Sequence, residues 1–185
     1  MAKLRKSVSY RRLERPYTRR SKYREKSFIR GNPANRIVSF DIGNLKRKFG
    51  YTVHLISKQN IQVRDNAIES GRTCSNRALE GQLGKSGFYM KIRMHPHHIL
   101  RENPLAAGAG ADRMSTGMKA SFGKPMSNAC QIKQGKILVS VSVHKRNLDV
   151  AKSALKKFAG KLPVSTTMET VENPKEEKVE TKKSA

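Results

Sequence analysis

At 185 residues, with 39 Lys and Arg against 14 Asp and Glu, the chain carries a formal charge of +25 and a pI near 10.6. One domain with one core accommodates that length, and a compact body so charged calls for a polyanion as partner, nucleic acid before an anionic membrane surface. No apolar run approaches the ~18 residues that span a bilayer and no apolar h-region follows the basic start, while two cysteines make neither a disulfide framework nor a four-ligand zinc site; a soluble protein of a reducing compartment, the cytoplasm, is expected.

Residues 1–30 hold twelve Lys or Arg and two acids, Glu14 and Glu25, with Tyr10, Tyr17, Tyr23 and Phe28 spaced among them. Guanidinium forks match phosphate and rings stack on unpaired bases. The segment therefore reads as an RNA-binding arm, its contacts supplied by Arg5, Lys6, Arg11, Arg12, Arg15, Tyr17, Arg19, Arg20, Lys22, Tyr23 and Arg24. A mitochondrial transit peptide shares the Arg-rich, acid-poor composition, but Pro16 interrupts the amphipathic helix and the charges fall on every face. The arm is expected to lack a core of its own, to order on its partner and to be dispensable for the fold.

Gly31, Asn32 and Pro33 signal a turn, and residues 36–42 alternate as a first strand, Ile37 and Ser39 opposite Val38, Phe40 and Ile42. Lys46, Arg47 and Lys48 form a basic knot that suits phosphate, with a solvated loop as the alternative; residues 51–57 follow as a strand with Val53 and Leu55 on one face. From 61 to 83 the period becomes helical, Ile68, Gly71, Ser75, Ala78 and Leu79 falling along one side. Small residues in that stripe allow close approach to a sheet, so Cys74 reads as core rather than nucleophile. Arg64, Arg72 and Arg77 flank the stripe, free to meet phosphates. Gly84-Lys85-Ser86 resembles the end of a P-loop, but Leu79 stands where that motif needs glycine. Gly84 more simply ends the helix as a left-handed cap.

Residues 88–94 alternate strictly, with Phe88, Met90, Ile92 and Met94 inward and Tyr89, Lys91 and Arg93 outward. This strand delivers residues 95–125, which show neither strand nor helix period and are all small from 106 to 111. So long a loop on a rigid scaffold reads as the working tip. Arg101, Arg113, Lys119 and Lys124 would face nucleic-acid phosphates, while Glu102 and Asp112 would fold the loop by pairing with Arg101 or Arg113. His95, His97 and His98 do not converge as metal ligands around Pro96, and no Cys, Asp or Glu cluster completes a site; they read as stacking or phosphate contacts.

Residues 130–133 and 136–143 are predicted to form a hairpin about Gln134-Gly135, so that one sheet clamps both ends of the loop. Asn147 then caps a helix burying Leu148, Ala151, Ala154, Leu155, Phe158 and Leu162, ended by Gly160 and Pro163. Residues 164–168 return as an edge strand. The tail, 169–185, holds five Glu and four Lys, has too few apolar residues to pack and reads as disordered.

Several strings together resemble one family: Arg11-Arg12 through Tyr17-Thr18-Arg19, Gly31 to Pro33, Met94-His95-Pro96 with His98, Ala109-Gly110-Ala111-Asp112-Arg113, Gly117-Met118, Phe122-Gly123-Lys124-Pro125, Gly135-Lys136 and Lys161-Leu162-Pro163. Over about residues 3–168 the chain resembles the universal L-sixteen ribosomal proteins of the large subunit, in their archaeal and eukaryotic L-ten-e form. The resemblance implies an α+β sandwich of hammerhead type bound to large-subunit ribosomal RNA near A-site transfer RNA. It also implies that the loop, with Arg101, Asp112, Arg113, Lys119 and Lys124, points toward the peptidyl-transferase centre, where RNA does the chemistry. The tail departs from the core family.

The expected architecture is thus a 1–30 basic arm, a single 31–168 domain of a mixed or antiparallel sheet with two main helices and a long loop at 95–125, and a 169–185 tail. Large-subunit ribosomal RNA, transfer RNA and neighbouring ribosomal proteins are the expected partners, with no cofactor, no metal, no membrane and no homo-oligomer. An RNA-acting enzyme would need a positioned acid–base pair in a formed pocket. A chromatin-like protein would explain the charge but not the scattered aromatics, which suit unpaired RNA.

Overall fold

The structure, a computed structural model, describes residues 5–17, 29, 31–105, 115 and 117–173. It is α+β, with two antiparallel sheets and two helices. The strands are β1 (Asp41–Gly43), β2 (Tyr51–Ser57), β3 (Ile61–Arg64), β4 (Tyr89–Ile92), β5 (His98–Glu102), β6 (Lys124–Ile132), β7 (Ile137–Val143) and β8 (Thr166–Glu172). The helices are α1 (Asp65–Leu83), between β3 and β4, and α2 (Leu148–Ala159), between β7 and β8. One sheet has five strands in the order β1-β4-β7-β2-β8, the other three in the order β3-β6-β5.

The period-2 strands bury the faces their sequences specify. Val53 and Leu55 of β2, Met90 and Ile92 of β4 and Val139, Val141 and Val143 of β7 are all fully buried. Met90 opposes Val141 and Ile92 opposes Val139 in register, so one apolar face runs across the central strands. The helix α2 covers β2 and β7 with Ala151, Ala154, Leu155 and Phe158. The helix α1 packs on α2 through its small residues: a Cβ added at Gly71 would lie 3.1 Å from the Phe158 ring, and the Ser75 hydroxyl donates to the Ala154 carbonyl at 3.1 Å.

The architecture departs from the expected single sheet at several points. Residues 61–64 extend as a strand because Ile61 and Val63 find partners in Ile132 and Cys130, and the helix starts only at Asp65. Residues 130–143 make no hairpin: the chain turns at 134–135 but passes from β6 in the small sheet to β7 in the large one. Pairing of β5 with β6 claims both flanks of the expected 95–125 loop, Glu102 opposing Lys124, and so reduces it to the segment between these strands.

Between 36 and 40 no ladder forms; Ile37 is buried at 6 % exposure while Val38 stands 81 % exposed. The last strand runs to Glu172, pairing Glu169 with His54 and Glu172 with Tyr51, so the tail's first four residues are sheet. Residues 174–185 lie outside the described residues. Asn147 gives no side-chain cap. Gly84 has φ 66° with ψ 173°, an extended glycine conformation rather than the left-handed helical one.

Candidate nucleic-acid interface

The first half of the basic arm is bound to the three-stranded sheet by its backbone. Residues Ser7–Tyr10 form a 3-10 turn. The Gln62 side-chain amide then donates to the Tyr10 carbonyl at 2.9 Å, and the Gln62 backbone N–H donates to Arg11 at 3.1 Å. The Gln131 amide donates to the Glu14 carbonyl at 2.7 Å and, through the same nitrogen, to Gln62 Oε1 at 3.1 Å. At the far edge the Ile99 N–H donates to the Tyr17 carbonyl at 2.8 Å, and the Tyr17 N–H donates to His98 Nδ1 at 2.8 Å. The arm thus crosses from β3 over β6 to β5 as a strap. Backbone groups do the holding, and Arg5, Lys6, Arg11, Arg12 and Arg15 are exposed.

That strap corrects the expectation of an arm without a seat. The signal available in the sequence was Gln62 and Gln131, two amides each set between apolar neighbours, Ile61 and Val63 on one strand and Cys130 and Ile132 on the other. Their donors and acceptors satisfy a neighbouring backbone where apolar side chains would leave carbonyls unpaired. Arg19, Arg20, Lys22, Tyr23 and Arg24 lie outside the described residues.

The strap ends at the root of the loop. The Arg101 guanidinium carbon lies 4.3 Å from the Tyr17 ring centroid and 3.8 Å from that of Phe122, and Nη1 donates to the Phe122 carbonyl at 2.7 Å. The two rings meet edge to face at 5.6 Å. Glu102 pairs with Arg5 of the arm at 3.1 Å, not with its neighbour Arg101. Asn103 donates to the Gly117 carbonyl at 3.2 Å, and Gly123, with φ 76°, leaves no room for a Cβ against Glu102. Lys119 and Lys124 are exposed beside this root; Asp112 and Arg113 lie outside the described residues.

Other basic residues divide by what already holds them. Lys46, Arg47 and Lys48 are exposed on a turn set by Asn44, whose side-chain oxygen accepts from the Lys46 and Arg47 N–H groups at 3.0 and 3.1 Å. Arg64 donates to the Arg5 carbonyl at 2.8 Å and lies over the Tyr10 ring, so it braces the arm. Arg72 is not free: Glu69 holds it through two bonds of 2.8 and 2.6 Å, and that hydrogen-bonded pairing holds the Glu69 carboxyl below its ordinary range. Arg77 is exposed.

The histidines serve the fold. His95 stacks on Phe40 at 4.7 Å, His97 Nδ1 lies 3.3 Å from the His95 carbonyl, and buried His98 receives the arm. Burial, with lesser effects from His97 and Arg101, pushes His98 below its ordinary pKa. It therefore stays neutral near pH 7, with its proton on Nε2, the nitrogen not accepting from Tyr17. No group of three His, Cys, Asp or Glu able to hold a metal occurs among the described residues, and none of their helices is long and apolar enough to cross a membrane.

The sequence model of a family described as ribosomal protein L16p/L10e matches residues 14–169. The chain is similar to the large ribosomal subunit protein uL16 of Archaeoglobus fulgidus, with 43 % identity over 157 residues covering 85 % of this chain and 87 % of that protein. The uL16 proteins of Methanococcus maripaludis and Staphylothermus marinus are each 40 % identical over 80 % of this chain, covering 86 % and 82 % of their own lengths.

Proposed function

Because the chain belongs to the ribosomal protein L16p/L10e family, we propose that it is a structural constituent of the large ribosomal subunit that binds large-subunit ribosomal RNA and helps position A-site and P-site transfer RNA near the peptidyl-transferase centre. The observation that supports this reading is the strap. Backbone bonds from Gln62, Gln131 and Ile99 hold residues 10–17 across the small sheet, so the exposed cations of the arm and the root of the loop form one body.

In this reading Lys6, Arg11, Arg12 and Arg15, with Lys46, Arg47, Lys48 and Arg77, meet ribosomal RNA phosphates, while Arg5 is paired with Glu102. Lys119 and Lys124 stand nearer the transfer RNA. Arg101 positions the loop rather than touching phosphate, since its guanidinium is already shared by two rings and a carbonyl. The role is positional and the chemistry belongs to RNA. His98 and Glu102, the acid–base groups at the root, are engaged in holding the arm. Neighbouring ribosomal proteins complete the partners, in the cytoplasm.

The test is to assemble large subunits with residues 105–111 replaced by a short Gly linker, then to measure transfer-RNA binding and peptide-bond formation separately. Closing a shorter loop adds no entropic cost to the β5–β6 pair. Assembly is expected to survive and transfer-RNA accommodation to fail. Normal values for both overturn the positioning role.

A further inference from the structure

Between the strap and the small sheet lies a cavity of about 190 Å³. Its roof is the arm, including Tyr10, Arg12 and Glu14; its floor is β5, including His98 and Ile99. The roof is fixed independently of any occupant, because the carbonyls of Tyr10, Arg11 and Glu14 are all bonded to the sheet.

Two lining side chains, Glu14 and the RNA-facing Arg12, have no partner among the described residues. Arg12 and Glu14 are exposed, line the same cavity, and among the described residues neither side chain enters a hydrogen bond or an ion pair, not even with the other. Together they present an acceptor and a donor to the same space. The Glu14 charge also acts on the His98 ring across that space.

We propose that this cavity receives one unpaired guanine of an RNA, the Glu14 carboxylate accepting the adjacent N1–H and N2–H groups of its Watson–Crick edge and Arg12 donating toward O6. Guanine alone among the four bases offers two neighbouring N–H donors to one carboxylate. Adenine would set its N1 lone pair against the carboxylate, and cytosine its N3 lone pair; uracil offers a single N–H between two carbonyls. The base is one of a polynucleotide, not a free nucleotide, because Lys6, Arg11 and Arg15 are exposed on the same arm and suit the phosphates on either side of an extruded residue. The inference rests on the RNA-binding reading above and names what one part of that surface takes.

The experiment uses the full chain and RNA hairpins identical except for one bulged nucleotide, guanine, inosine, adenine, cytosine or uracil, read by fluorescence anisotropy at fixed salt. Bulged guanine is expected to bind on the order of tenfold tighter than adenine, as one bidentate base contact discriminates. Inosine, lacking the N2 amine, should fall between. Glu14→Gln keeps the backbone carbonyl that Gln131 holds, and is expected to bind all five hairpins alike with an unchanged salt slope. A wild type without base preference, or a Glu14→Gln chain that keeps it, overturns the guanine pocket while leaving RNA binding intact. Failure to bind any hairpin overturns both. Guanosine monophosphate competing as well as the bulged hairpin would assign the cavity to a free nucleotide and overturn the proposal as stated.

Discussion

Arg101 and Phe122 are joined twice: the guanidinium carbon sits 3.8 Å from the ring centroid, and Nη1 reaches the Phe122 carbonyl at 2.7 Å. Since Arg101 lies on β5 and Phe122 just before β6, the contact ties the two sides of the loop root. Tyr17 brings the arm to the same guanidinium, so one charge joins three segments distant in sequence.

Arg101→Ala is expected to loosen the root without unfolding the domain. Two partly exposed cation–π contacts at about 0.5–1 kcal/mol each and one hydrogen bond at about 1 kcal/mol set the loss at roughly 2–3 kcal/mol of local stability. Arg101→Lys should recover little of it, because an ammonium has no plane to lay on two rings. Amide hydrogen exchange across residues 98–105 and 117–126 measures this; unchanged protection in Arg101→Ala would show that the contact is incidental.

Removal of residues 1–17 tests the strap. It strips carbonyl partners from Gln62, Gln131 and the Ile99 N–H and leaves His98 without its donor. At about 1 kcal/mol per hydrogen bond, the loss is on the order of 3–4 kcal/mol, seen as a lower midpoint in denaturant. The same deletion should flatten the salt dependence of RNA binding, each lost phosphate contact lowering the log–log slope by roughly 0.7–0.9. An unaltered midpoint would return the arm to an unseated tail.

Gly123→Ala should be more damaging than its size suggests. The backbone there has φ 76°, and a Cβ would lie 2.5 Å from the Glu102 carbonyl carbon, so β5 and β6 must separate where they meet. A cost well above about 1 kcal/mol is expected, visible as a fall in thermal midpoint. Lys124→Ala, next to it but exposed, should leave the midpoint in place.

The arm should loosen in acid. Burial holds His98 below its ordinary pKa of 6.5, so the unfolded chain binds more protons at this site than the folded one. Stability from the neutral ring is therefore complete above pH 6.5 and declines as pH falls through the ordinary and then the lowered value. The charged groups acting on the ring are Glu14, His97 and Arg101. His54 is shifted the same way by burial and Arg93, so the test compares wild type with His98→Gln. The variant should lose part of the drop in thermal midpoint between pH 7.5 and pH 5; an identical profile would remove His98 from the arm's attachment.

Whatever depends on local periodicity and on charge was legible along the chain. The strict alternation at 88–94 and the valines of 137–143 needed no partner to declare a buried face, and Phe88, Met94, Val139 and Val141 are indeed buried. The helical stripe of Ile68, Gly71, Ser75 and Leu79 was legible for the same reason, and the resemblance in the loop and arm strings gave the family.

Which strand joins which sheet depends on pairing between segments distant in the chain. Ile61 and Val63 fit either a helix or a strand until Cys130 and Ile132 lie opposite. The 134–135 turn reads as a hairpin because sequence registers the turn but not where the following strand pairs. Glu169 and Glu172 look like disordered tail because pairing with β2 is backbone bonding, to which side-chain composition is nearly blind. At the interface the reason is similar. Counting cations finds Arg72 and Arg101 as readily as Arg11 and Lys6, whereas only the fold brings Glu69 to one and two aromatic rings to the other, and so decides which charges remain to meet a partner.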